Sequence, residues 1–247
     1  MAKGKNKLVR WLRVFVDGYN LSGDARNFAS MDNMMEGVDL TGWSEEVRWG
    51  IADKLRQVGV RGFQALLNDT AQSGAHSVLK NPGSPMVVSF LFGGGAEPDF
   101  GDPAYLLGSI QVSAPAGLDG QAHVLTADFL PNGRTSVNPF GVVLHPETNI
   151  NATTLGDSVD NGAATSGGWH ANLHITATSS GDYEFRIEQS ATGAFSGEET
   201  TLATFTLDGS AIGSEELSGS GSVAQHVRFV ATKTAGSCTP VCVFARN

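Results

Sequence analysis

Positive charge is scarce in this chain: 16 Lys and Arg stand against 25 Asp and Glu, giving a formal net charge of -9. That balance excludes a general nucleic-acid binder, which needs a basic surface to displace counterions from phosphates. It does not exclude a protein that encloses DNA, because an acidic wall repels the duplex without gripping it. Long apolar runs are also missing. No stretch approaches the about 20 residues of a membrane helix, and the start, Met1-Ala2-Lys3-Gly4-Lys5-Asn6-Lys7, lacks the apolar core of a secretory signal. The expectation is a soluble product made inside the cell. Cysteine occurs twice, as Cys238-Thr-Pro-Val-Cys242. One such pair, with no second Cys or His pair at matching spacing, is weak evidence for zinc. These cysteines read as small core or turn residues, with a hairpin disulfide or a metal as the lesser alternatives.

What the chain has in quantity is glycine, 31 in 247 residues, among many Ser, Thr and Ala. Tight turns between short strands follow, and a mainly β fold is expected. The 40% hydrophobic content suffices for one large core or two modest ones. Beyond residue 147 the texture turns rich in Gly, Ser, Thr and Ala and poor in Lys. Residues 1–146 carry 12 basic and 14 acidic groups, whereas residues 147–247 carry 4 and 11. Two domains, 1–147 and 148–247, are predicted.

Leu12 to Val16 reads as a strand, followed by turn chemistry at Asp17-Gly18-Tyr19-Asn20. Ser44, then Glu45 and Glu46, then Val47, Ile51 and Leu55 at a spacing of four predict a capped helical turn. Val58 to Leu67, with two glycines, predicts a bent strand. Asn68 or Asp69 is expected to cap a helix with Ala71, Ala75, Val78 and Leu79 on one face, stopped by Asn81-Pro82-Gly83. Strands are expected at 85–92, 105–113 and 120–130. In the second half, Trp169, Ala171, Leu173, Ile175 and Ala177 alternate with His170, Asn172, His174 and Thr176; Tyr183, Phe185 and Ile187 alternate with Glu184, Arg186 and Glu188. Further strands at 202–207, 223–232 and 241–246 complete an antiparallel sandwich.

No catalytic, metal-binding or cofactor motif emerges, and no enzyme is expected. Gly93-Gly94-Gly95-Ala96 lacks the Gly-Lys-Ser/Thr ending and the following helix of a phosphate loop. His170 and His174, four apart on one strand, are separated by about 13 Å and cannot share an ion, so they read as exposed polar residues. The pairs Glu45-Glu46, Glu198-Glu199 and Glu215-Glu216 read as solvated. Trp169 could stack on a sugar, but its place in the apolar phase of its strand makes it core.

Three segments carry a resemblance: Arg13-Val-Phe-Val-Asp-Gly-Tyr-Asn-Leu-Ser-Gly23, Val38-Asp-Leu-Thr-Gly-Trp43 and Gly62-Phe-Gln-Ala65. Together they resemble the beginning of major tail proteins of long-tailed bacteriophages. The C-terminal runs Val223 to Phe229 and Val243 to Arg246 are similar, more loosely, to the sandwich-like second half of some of these proteins. The resemblance implies an N-terminal tail-tube β-sandwich or barrel with a flanking α-helix and a C-terminal immunoglobulin-like sandwich. It further implies a virion tail subunit, assembled in the host cytoplasm, whose hexameric rings stack into a conduit for the genome beside other tail proteins. DNA would pass without specific binding, and the C-terminal domain would sit outside the tube with an optional role in binding host glycan. The family brings no catalytic residue and no cofactor.

Subunit contacts are expected at the basic segment Lys3, Lys5, Lys7 and Arg10, and either at the segment Glu36 to Gly42, with Glu36, Val38, Asp39, Leu40 and Thr41, or at the loop from Gly93 to Pro103. The alternative reading is a head-decoration or adhesin-like carbohydrate-binding module of the virion.

Overall fold

The computed structural model describes residues 11–39, 50–133 and 138–247, with side chains for all of these except 35–39 and 50–56. The fold is mainly β, a curled antiparallel sheet that forms a half-barrel. In chain order the strands are β1 (Leu12–Val16), β2 (Tyr19–Asn20), β3 (Ala25–Asn27), β4 (Ser30–Asp39) and β5 (Gly50–Leu66). A short helix, α1 (Ala75–Leu79), leads to β6 (Pro85–Phe92), β7 (Pro103–Ser113), β8 (Ala116–Asp119), β9 (Ala122–Pro131) and β10 (Phe140–His145). The rest comprises β11 (Thr154–Asp160), β12 (Trp169–Ser190), β13 (Thr200–Thr204), β14 (Gly213–Gly219) and β15 (His226–Arg246).

The main path runs β13-β12-β15-β10-β7-β6-β1-β2, and β9 joins β7 to a side sheet of β8, β9, β5, β3 and β4. Strand β10 is the bridge: Val142 lies opposite Phe244 of β15 on one edge and Pro103 of β7 on the other. Alternation of apolar residues sets three cores. One lies within the C-terminal half, around Leu173, Phe185, Ile187 and Phe229. A second lies in the N-terminal half, around Val14, Phe63, Phe90, Tyr105 and Phe129. A third, with Phe15, Leu91 and Leu106 against Val143, Val241 and Val243, glues the halves where β10 joins them. Cys238 and Cys242 are free thiols in this interior, as their small size suggested.

Two local expectations fail. Ile51 and Leu55 lie in β5, paired antiparallel with β4, and not on a helical turn. A spacing of four is even, so it fits one face of a strand as well as the i, i+4 face of a helix, and the periodicity alone could not decide. Ser44 to Val47 lie outside the described residues. The helix expected from Asn68 shrinks to five residues with Gly74 at its N-cap. Asn68 Oδ1 instead accepts the backbone N–H of Thr70 at 3.0 Å, and its backbone oxygen accepts the N–H of His76 at 3.0 Å, closing a turn that postpones the helix.

Elsewhere the expected strands appear, some merged. The stretch expected as one strand over 120–130 is the second arm of a hairpin from β8 to β9, turning at Gly120 with φ +63. The two strands expected between 223 and 246 are one, β15. It pairs with the 22-residue β12 almost end to end, with register shifts near Ala177, Ser180 and Tyr183 that let the pair bend.

Candidate assembly surface and a buried polar seam

Strand β4 is ten residues long and, among the described residues, pairs with β5 alone. Strand β5 pairs with β9 from Val60 onward, so among the described residues Gly50 to Gly59 of β5 have β4 as their single strand partner. The outer part of β4–β5 is therefore a two-stranded ribbon leaving the sheet, and such a ribbon is at best marginally stable in water by itself. Tyr105 fixes its root. The phenol, wholly buried, accepts the N–H of Gly59 at 3.1 Å and reaches the backbone oxygens of Asp32 at 2.9 Å and Gly59 at 3.0 Å. Burial, countered by the Gly59 contact, pushes its pKa above the ordinary tyrosine value.

Farther out the register slips: Met35 lies opposite Arg56, but Gly37 lies opposite Ala52. Glu36 thus faces a bulge of three residues, a feature that twists a ribbon and re-aims its tip. Val38 and Asp39 lie at the tip, opposite Ile51 and Gly50. Leu40, Thr41, Lys3, Lys5, Lys7 and Arg10 lie outside the described residues. The opposite border of this side sheet is β8, which among the described residues pairs with β9 alone and is exposed along its length, with Leu118 69% accessible. The loop from Gly93 to Pro103 is anchored to β10 at its end, by Gly101 N–H donating to the Val143 oxygen and Val143 N–H to the Asp102 oxygen, both at 2.9 Å.

The polar face of β12 overturns a second set of expectations. His170, Asn172 and His174 are not exposed: each is 0% accessible. The N-terminal half covers that face. Asn172 Nδ2 donates to the Val88 oxygen and to Ser89 Oγ, both at 3.1 Å. Gly18 N–H donates to His174 Nδ1 at 3.3 Å, which leaves the ring proton on Nε2 for Ser89 Oγ at 2.9 Å. Burial lowers the His174 pKa to about 3. Nor is Glu216 solvated, its side chain being 5% accessible. It lies over Gly108, takes a hydrogen bond from Asn132 Nδ2 at 2.8 Å, and stands 3.1 Å from His170 Nε2, near enough for an ion pair but out of line for a hydrogen bond. Glu215 accepts the N–H groups of Thr206 and Leu207 at 2.7 and 2.8 Å. Glu198 and Glu199 are exposed as expected, and Glu45 and Glu46 lie outside the described residues.

Asp17 completes the seam, accepting Val87 N–H at 2.8 Å and Ser214 Oγ–H at 3.2 Å; burial raises its pKa, against the lowering effect of those two bonds. His170 Nδ1 and Asn172 Oδ1 find no hydrogen-bond partner among the described residues. No sequence signal marked the seam, because the strands that cover it come some 80 residues or more earlier in the chain.

Trp169 is 8% accessible and stacks on Phe244 with ring centroids 6.3 Å apart, so it is core as its strand phase predicted. Among the described residues no group of three or more His, Cys, Asp or Glu is arranged to hold a metal, and no helix is long and apolar enough to cross a membrane.

No protein-family model matches the chain, and no curated protein matches it. Among solved structures it is similar to the crystal structure of the Dit protein of phage SPP1, described as a paradigm of the hub adsorption apparatus in phages that infect Gram-positive hosts. The alignment covers 95% of this chain and 98% of that chain at 14% identity, with a TM-score of 0.36.

Proposed function

We propose that the chain is a structural protein of a phage tail, a tube subunit that self-assembles into stacked hexameric rings enclosing a channel for DNA. The observation that carries this reading is the pair of open borders on the side sheet: the long edge of β4 on one side and the exposed β8 on the other. Two different edges on one subunit make a head-to-tail contact, and head-to-tail contacts form a ring when the rotation between neighbours closes and an open helical filament when it does not. Joining the four residues of β8 in one copy to a matching stretch of the ten-residue β4 in the next would pair backbone groups on both edges and shorten the free edge that β4 leaves. The net charge of -9 suits a wall along which DNA slides. The resemblance of Arg13 to Gly23 and of Val38 onward to major tail proteins adds to it. On this reading residues 1–147 build the tube wall beside other tail proteins, and residues 148–247 form an outer domain, exposed to host glycans.

Proline removes one strand donor, and successive N–H groups point to opposite edges. Val38→Pro and Asp39→Pro, made separately, therefore include one variant that strikes the free edge of β4. Negative-stain microscopy and sedimentation of purified protein should show rings or tubes for the unsubstituted chain and soluble monomer for the affected variant. Tubes of normal length from both variants would overturn the edge-pairing assignment, and a stable monomer that binds glycans would favour the carbohydrate-module alternative.

A further inference from the structure

A groove of about 320 Å³ opens in the N-terminal half, lined by Arg13, Phe15, Leu91, Glu97, Pro98 and Glu147. Its floor is apolar and its rim is acidic. Arg13 is bridged to Glu97, and Glu147 takes a neutral hydrogen bond from Asn20 Nδ2 at 2.7 Å, so among the described lining residues one positive charge meets two negative ones. Glu147 is exposed, and Asp99 is exposed nearby on the same loop as Glu97.

The chain carries one segment of complementary charge. Residues 1–13 hold five of the 16 basic groups and none of the 25 acidic ones, leaving 11 basic against 25 acidic on the remainder. Copies of such a body repel one another, and the repulsion has to be offset wherever they pack side by side. A basic segment bound to its own body leaves that repulsion in place; laid across to the next body, it opposes it. Ten residues extended span up to about 35 Å, enough to cross from one subunit to its neighbour.

We infer that this groove receives the basic segment, Lys3 to Arg10, of a second copy of the chain. The inference rests on the self-assembly proposed above and adds the site at which neighbours are latched. The lysine ammonium groups would meet Glu97 and Glu147 at the rim, above Phe15 and Leu91, which are buried beneath the floor.

Cross-linking tests it directly, because both native thiols are buried and only introduced ones can react. Lys5→Cys protein co-assembled with Glu147→Cys protein should give a disulfide-linked dimer under mild oxidation, and Lys5→Cys with Ser196→Cys, an exposed site on the other half, should not. Glu147→Lys should slow assembly at low salt by about tenfold or more, and adding Lys3→Glu and Lys5→Glu should restore it. A doubly substituted Lys5→Cys, Glu147→Cys chain that cross-links only within itself overturns the inference by making the occupant the chain's own segment. Tubes that form without the interchain disulfide overturn the latch and leave the tube reading standing. Absence of both tubes and disulfide overturns the two together.

Discussion

Replacing His174 by Asn should remove an acid sensitivity built into the seam. In the native protein the ring is neutral: Nδ1 accepts the N–H of Gly18 and Nε2 donates to Ser89. A second proton would set two donors against each other at Nδ1, in a site with no solvent access. Burial accordingly holds the His174 pKa at about 3, against 6.5 for a free histidine. The unfolded chain takes up a proton as pH falls through 6.5 and the folded chain does not until about pH 3, so the unfolded state binds more protons across this window. Stability therefore falls with pH, by about 1.4 kcal/mol per unit below 6.5.

Between pH 7 and pH 5 the loss from this one residue is about 2 kcal/mol. Asp17 acts with the opposite sign, since its raised pKa lets the folded state bind a proton first on acidification. The useful quantity is thus the difference between wild type and variant, in which Asp17 cancels. His174→Asn keeps an acceptor near Nδ1 and gives up the bond to Ser89, so it should be the less stable protein at pH 7. Urea unfolding at pH 7, 6 and 5 should show its deficit shrinking by about 2 kcal/mol toward pH 5. A deficit constant to within about 0.5 kcal/mol would refute the reasoning.

Three further outcomes follow from the interior. Glu188 is nearly buried between Arg186, with Nε at 2.8 Å, and Arg228, with Nε at 2.9 Å and Nη2 at 2.6 Å; burial would raise its pKa, but those bonds and charges outweigh it and hold it low. Glu188→Gln should cost about 2–4 kcal/mol in chemical denaturation, because the part-buried Arg228 loses its counter-charge and Arg186 keeps that of the exposed Glu184. Gly18→Ala should cost about 2–4 kcal/mol, read as a lowered midpoint, since φ is +84 and the new Cβ would lie 2.5 Å from the backbone oxygen of Gly213. Burial pushes the Cys238 thiol up to about 11 and raises that of Cys242 further, so a thiol reagent at pH 8 should label neither residue until denaturant is added.

How far the sequence could be read depended on how far away the deciding contacts lay. The inward face of β12 was legible from Trp169, Leu173 and Ile175, because strand alternation is local. The other face was not: whether His170, Asn172 and His174 meet water or protein depends on strands β1 and β6, and alternation says only that the two faces differ. The bend in β5 was legible at Gly62, whose φ of +60 few other residues adopt. Ile51 and Leu55 misled because their spacing satisfies both periods. Of the expected contact residues, Val38 and Asp39 lie opposite Ile51 and Gly50 in the outer part of β4–β5, where a contact between copies is the proposal, and the edge of β8 carried no signal, since nothing in Ala-Gly-Leu-Asp distinguishes a border from a turn.

The place of β15 governs when the molecule can form. It begins at His226, yet it lies inside the sheet, with β12 on one edge and β10 and β11 on the other. During synthesis the strands of the N-terminal half can pair as they emerge, whereas β10, β11 and β12 wait, their shared partner unmade, until Arg246 has been added. The completed subunit, and with it any contact that depends on both halves, comes into being in one late step.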